Sequence, residues 1–106
     1  MKNKYFVALA ACFILGGNAL ADDGLDLAHK HLCNSCHTMD KKLMGPSWMS
    51  ISAMYQSQPD AEAHLIDKIR NGGAGTWGKN PMPPSPGVGE ADIKILAHYI
   101  LSLAKK

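Results

Sequence analysis

The sequence predicts an all-α domain of four or five short helices. Three observations carry that prediction. Apolar residues recur at intervals of three and four in four separate segments, the period of an amphipathic helix. No segment alternates polar and apolar residues convincingly enough for a strand. The stretch Cys33-Asn34-Ser35-Cys36-His37 sets two thiols three positions apart with a histidine directly after them. That spacing is the signature of a c-type haem attachment site, and it supplies an apolar body for the helices to wrap around.

The order of residues in that stretch follows from the chemistry. One turn brings both sulfurs to one side, where each forms a thioether with one haem vinyl group. His37 then emerges beneath the iron and offers an imidazole nitrogen as proximal ligand. Two thiols also fit a zinc site, a redox dithiol or a single disulfide. Zinc needs two more ligands at a usable spacing, and no cysteine follows Cys36. A thioredoxin-like dithiol expects a βαβ pattern, which is absent. The adjacent His37 favours haem over a disulfide.

The chain has 106 residues, enough for one small domain. Lys2 and Lys4 open a basic segment, Tyr5 to Leu15 is apolar but too short to span a bilayer, and Ala19-Leu20-Ala21 fits a small-x-small cleavage pattern. Residues 1–21 therefore read as a cleaved secretory signal and 22–106 as the domain. Leu9-Ala10-Ala11-Cys12 offers a rival lipoprotein site, with a lipid on Cys12, and an uncleaved anchor is a third reading. With Lys2 and Lys4 removed, nine of the eleven basic side chains remain against nine acidic ones. Haem propionates would tip that balance slightly to the acidic side, and nothing points to nucleic acid. A domain of this length is short of core by itself, so a buried haem links cofactor to stability. Covalent haem also implies the periplasm, where it is attached.

The elements follow in order. Asp22 and Asp23 are placed to cap a first helix with Leu25, Ala28 and Leu32 on its apolar side. His29 and His31 lie on or near its polar side and read as solvated. Residues 38–46 hold no period and form a loop. Lys41 and Lys42 make a solvated bend that can also orient a partner, and Gly45-Pro46 is a turn signal. A carbonyl near Pro46 can accept the His37 Nδ1–H and fix the ligating tautomer. Ser47 caps a helix to about Gln56 with Trp48, Ile51 and Tyr55 on one face, and Met49 and Met54 read as core fillers. After Pro59, Asp60 caps a helix carrying Ala61, Leu65, Ile66 and Ile69, and Asn71-Gly72-Gly73 ends it. His64 reads as a surface or boundary residue. Glu90 to about Lys105 forms the longest helix, with Ile93, Leu96, Ala97, Ile100, Leu101 and Ala104 inward, His98 on the polar side and Tyr99 at the edge of the contact with the first helix.

Residues 72–89 form a long loop rich in glycine and proline. Such a loop in a small domain is usually functional. Prolines on both sides hold Met82 in a stiff, extended backbone that presents one thioether at little ordering cost. Given a haem on the same chain, Met82 is the candidate second axial ligand. The indole N–H of Trp77 needs a partner if buried, either a haem propionate or the core.

With these residues in place, the chain resembles the small bacterial class I cytochromes c, most closely the c-551 type. The resemblance rests on Cys33-x-x-Cys36-His37, Gly45-Pro46, Asn71-Gly72, Trp77-Gly78, Pro81-Met82-Pro83-Pro84 and Leu96-Ala97-His98-Tyr99-Ile100-Leu101-Ser102, and spans nearly all of residues 22–106. It implies the class I fold around one covalent haem c, with His37 and Met82 as axial ligands and the Pro46 carbonyl holding His37. It also implies that Trp77 faces a propionate and that the first and last helices cross. Three departures stand out. Ser85 occupies the place of a frequent asparagine, one extra residue precedes the last helix, and Ala28 replaces a frequent aromatic, which loosens the expected packing on Tyr99.

Two strong axial ligands leave iron no open position, which points to a one-electron carrier rather than an enzyme, and thioether ligation raises the potential. The competing reading is a haem enzyme or gas sensor with a labile Met82; no distal acid–base group in the Met82 loop supports it. The resemblance implies transient redox partners, with a respiratory cytochrome complex as donor and nitrite reductase, a terminal oxidase or a peroxidase as acceptor. A monomer without stable membrane insertion is expected.

Overall fold

The first and last helices cross, and the remaining elements pack against that crossing. In the computed structural model, which describes residues 18–105, helix α1 (Asn18–Lys30) lies on α4 (Glu90–Leu101). The crossing is close because Gly24 has no side chain: a Cβ there would overlap the Tyr99 ring. Ala28, one turn on, is buried, as are Ile93, Leu96 and Ala97 opposite. Tyr99 is itself buried, with Trp48 packed on it edge-to-face at 6.3 Å. Gly24 thus offsets the absence of an aromatic at position 28. His31 is half-buried rather than solvated, its Nε2 3.1 Å from Asp92 Oδ2, and so fastens the end of α1 to the start of α4. The Asp22–Asp23 cap is not observed: α1 already begins at Asn18, through the strong helix formers Ala19, Leu20 and Ala21. Most of the expected leader, with Cys12, lies outside the described residues.

Helices α2 (Trp48–Tyr55) and α3 (Ala61–Asn71) complete the core. Ser47 Oγ accepts the Ser50 N–H at 3.1 Å as a true N-cap. Trp48, Ile51 and Tyr55 are buried on one face of α2, and Ala61, Leu65 and Ile69 on one face of α3. Asp60 holds the cap position of α3, but its side chain makes no cap bond. Met54 is 43% exposed and so does not fill the core; Met49 is half-buried.

Helix α4 stops at Leu101, short of the expected Lys105. The stop comes from α2. Ser52 Oγ, fully buried, donates to the Leu101 carbonyl at 3.1 Å and accepts the Ala104 N–H at 3.0 Å. Gln56 Nε2 donates to the Leu101 and Ala104 carbonyls at 3.2 and 2.8 Å. These side chains satisfy the backbone groups that a helix end leaves free, so Ala104 lies beyond the helix.

The loop after α3 is partly ordered as a hairpin. Strand β1 (Gly73–Gly75) pairs antiparallel with β2 (Gly78–Met82), with Gly73 opposite Met82 and Gly75 opposite Gly78. The expectation of no strand is corrected here. The strands lack alternation because their faces are almost wholly exposed and backbone pairing alone holds them. Among the described residues, four helices, one 3-10 turn and this small sheet agree with the fold that the resemblance implies.

Candidate haem site

The elements leave a cavity of about 430 Å³ between the turn after α1, the inner faces of α2 and α3, and the hairpin. That is within the range of small-molecule and cofactor pockets. Cys36, His37, Pro46, Trp77 and Met82 line it. A smaller void of about 60 Å³, which shares His37 and Met82 with it, reaches Cys33 and the buried side of Trp48 and Leu96. Five of the six residues singled out from the sequence therefore line the larger space, and Cys33 lines the void beside it.

The cysteine turn is built locally. Cys33–Ser35 form one 3-10 turn, and the Cys33 carbonyl accepts both the Cys36 N–H at 3.1 Å and the His37 N–H at 3.0 Å. Both thiols are free. Burial pushes the Cys33 thiol above its ordinary pKa, so it favours the neutral S–H form.

His37 is held on two sides. Its Nδ1 lies 2.7 Å from the Pro46 carbonyl oxygen. A carbonyl only accepts, so Nδ1 carries a proton; in the neutral imidazole that leaves Nε2 as the nitrogen with the lone pair a metal ligand requires. Gly45 packs against the ring; a Cβ there would lie 2.7 Å from His37 Cε1. The Trp48 ring runs nearly parallel to the imidazole at 6.3 Å.

Met82 is positioned through backbone. Gly72, at φ +73°, ends α3 in a left-handed conformation, and a Cβ there would overlap the Met82 carbonyl oxygen. Gly73 pairs with Met82 across the hairpin, and Pro81 and Pro83 stiffen the chain on either side. Trp77 is half-buried on the cavity wall, edge-to-face with Tyr55 at 6.5 Å.

Among the wall residues that sequence reasoning does not assign to the site, three carry polar or aromatic groups on α2 and α3. The sequence places Tyr55 in the core and His64 at the surface or boundary and does not mark Lys68, yet all three line the cavity. His64 stacks at 4.5 Å on Tyr55. His64 and Lys68 are spaced four apart on α3 and flank its stripe Ala61–Leu65–Ile69, a spacing that places them on the stripe's edge. Ser85 is half-buried and tied by its N–H to the Arg70 carbonyl at 3.3 Å. His29 is exposed, and His98 sits on the surface with Nε2 3.0 Å from Glu62 Oε2.

The free thiols, the imidazole with its lone pair and the apolar walls fit a covalent haem. The family model for cytochrome c matches residues 21–104. The chain belongs to the cytochrome c family. It is similar to cytochrome c-552 of Nitrosomonas europaea, 43% identical over 97% of this chain and 99% of the relative. Cytochrome c-551 of Allochromatium vinosum is 42% identical over 81% of this chain and 89% of the relative. The crystal structure of the Nitrosomonas europaea cytochrome c552 superposes with a TM-score of 0.72 at 44% identity, covering 74% of this chain and 98% of that one. As a small c-type cytochrome the protein carries one covalent haem c and works as an electron carrier, not as an enzyme. Among the described residues no helix is long and apolar enough to cross a membrane.

Proposed function

We propose that this cytochrome c is a periplasmic one-electron carrier with histidine–methionine ligation. In this reading Cys33 and Cys36 would form the two thioethers, and His37 Nε2 and the Met82 sulfur would bind the iron. The observation that carries it is the pairing of His37, its Nδ1–H engaged by Pro46, with Met82 on one cavity. When bound, haem c supplies an iron that cycles between Fe(III) and Fe(II). Pro46 fixes the imidazole's tautomer and direction. Gly72 and the flanking prolines hold Met82 in place, so little rearranges on electron transfer. Ile51, Leu65 and their neighbours exclude water, which with the thioether favours Fe(II). The Trp77 indole N–H would donate to a haem propionate.

Residues 1–21 are the proposed export signal. Cleavage after Ala21 would leave Asp22 and Asp23 to open α1. Supporting this, the crystallised Nitrosomonas europaea protein pairs with 74% of the chain and its curated sequence with 97%, a gap about the size of a secretory leader. The proposed partners are a respiratory cytochrome complex as donor and nitrite reductase, a terminal oxidase or a peroxidase as acceptor, met as a monomer in small, brief contacts.

The test is the exported protein. Haem staining and intact mass are expected to show one covalent haem on a chain beginning at Asp22. The oxidised spectrum is expected to be low-spin with a methionine–iron charge-transfer band. Met82→Ala should abolish that band and lower the potential by about 0.1 V or more, axial ligation being the main lever on haem potentials. An unchanged spectrum rules Met82 out as a ligand.

A further inference from the structure

We infer that the crossing of α1 and α4 sets the tilt of the His37 ring, with Tyr99 and Trp48 as positioning residues between them. The inference rests on the reading of His37 as an axial ligand and adds to it what holds the plane of the ring.

One constraint is not enough for that plane. The bond to Pro46 holds a single ring atom, Nδ1, at 2.7 Å. Hydrogen bonds tolerate moderate bending, and the torsion that turns a histidine ring is broad. The imidazole is therefore free to tilt about that bond unless something stands beside its face. Trp48 stands there, its ring within 22° of parallel at 6.3 Å. The two backbones are already tied, because the Trp48 N–H donates at 2.9 Å to the carbonyl of Thr38, the residue after His37. What is left to place is the Trp48 ring itself.

That ring is placed from its far side. Trp48 is buried and meets Tyr99 edge-to-face, at 75° and 6.3 Å. Tyr99 is pressed in turn by α1, since a Cβ on Gly24 would overlap Tyr99 Cβ and Cγ. A glycine inside a helix costs about 1 kcal/mol against alanine, so this close approach is made at the expense of α1. Gly24, Tyr99, Trp48 and His37 form one packed line from helix crossing to ligand. Close-packed interiors have low compressibility and transmit strain. A shift of α1 on α4 is thus passed to the imidazole plane, and that plane governs how the ring overlaps the iron d orbitals.

The test uses the haem-loaded protein. Turning an axial imidazole redistributes the paramagnetic shifts of the haem methyl protons in the oxidised state, a readout that lost stability alone does not move. Trp48→Leu should redistribute those shifts and broaden the His37 ring resonances while the methionine band stays. Trp48→Phe keeps a ring and should preserve the wild-type order of the methyls. Gly24→Ala should move the same methyls in the wild-type background and leave them in place when added to Trp48→Leu, because residues on one line do not act additively. Should Gly24→Ala not yield folded protein, Tyr99→Leu takes its place in the same comparison. Ser52→Ala is the control for lost stability: its hydroxyl serves the end of α4 rather than either ring, and the methyls should not move. Unchanged methyl shifts in Trp48→Leu, or an equal effect of Gly24→Ala with and without Trp48, overturns the inference. Failure of the carrier reading would show separately, as a wild-type oxidised spectrum without the methionine band. The Trp48 variants decide the inference in that case too, because it concerns His37 alone.

Discussion

The two walls of the haem cavity are built by opposite means. On one, a side chain is locked by others: Pro46 accepts from His37 Nδ1, Gly45 packs on the ring and Trp48 runs alongside. On the other, backbone carries a side chain that has no hydrogen-bonding lock of its own. Gly72 makes room for the Met82 carbonyl, Gly73 pairs with Met82, and two prolines stiffen its neighbours. The difference suits the two atoms. An imidazole needs one tautomer and one ring orientation, which a hydrogen bond supplies. A thioether is a weak acceptor with free torsions, so a stiff backbone is the means of aiming it.

The largest expected effect tests the backbone wall. Gly72→Ala puts a Cβ at positive φ and into the Met82 carbonyl, and neither the helix end nor the hairpin can yield alone. A loss of about 3 kcal/mol or more is expected, with the methionine band weakened and haem still attached. Thermal melts and the oxidised spectrum check both. Gly45→Ala tests the other wall. Its Cβ would meet the edge of a side chain at 2.7 Å, and the ring can retreat by lengthening its bond to Pro46. About 1–3 kcal/mol is expected, the usual cost of overpacking, with the change confined to His37 ring resonances. If Gly45→Ala proves the costlier, the side-chain wall is the stiffer one and the contrast is reversed.

How much of this was legible in the sequence follows the same division. The His37 wall lies within the stretch 33–48, and its turn, tie and cap follow from local spacing. Met82 could be picked out by its flanking prolines, but its support could not. That support is a pairing of glycine backbones with exposed faces, and such strands leave no alternating pattern to read. The stop of α4 was hidden for another reason: the signal sits on α2, in Ser52 and Gln56, some fifty residues away. The start of α1 was misplaced because an acidic pair resembles a cap even when helix formers continue upstream. Lys68, His64 and Tyr55 join the site only once α2 and α3 pack, which periodicity alone does not fix.

Ser52→Ala separates the walls from the floor beneath them. It removes a buried hydroxyl that serves the Leu101 carbonyl and the Ala104 N–H. Gln56 Nε2 still serves the Leu101 carbonyl, so the Ala104 N–H is the group left unpaired, at a cost of about 1–3 kcal/mol. Because neither wall contains Ser52, the melting temperature is expected to fall while the spectrum and potential stay at the wild-type values. A shifted potential would show that the end of α4 is coupled to the ligands.

The smallest effect concerns the clasp at the foot of the Met82 segment. Arg70 Nε donates to Glu90 Oε2 at 3.0 Å and Arg70 Nη2 to Glu90 Oε1, joining the end of α3 to the start of α4 across residues 72–89. Arg70's hydrogen bonds hold the Glu90 carboxyl below its ordinary 4.5. A carboxylate whose folded pKa is depressed adds stability above its unfolded pKa and loses it as pH falls through the folded one. The contribution is therefore intact at neutral pH and fades below about 4.5. Both partners are exposed, so screening keeps the effect small. Melting temperatures of the wild type and Arg70→Gln should converge as the pH is lowered through that window. Amide exchange in Gly73–Met82 should quicken over it more than exchange around His37. Equal quickening at both places would mean that Arg70 and Glu90 steady the domain as a whole, and that the backbone wall has no clasp of its own.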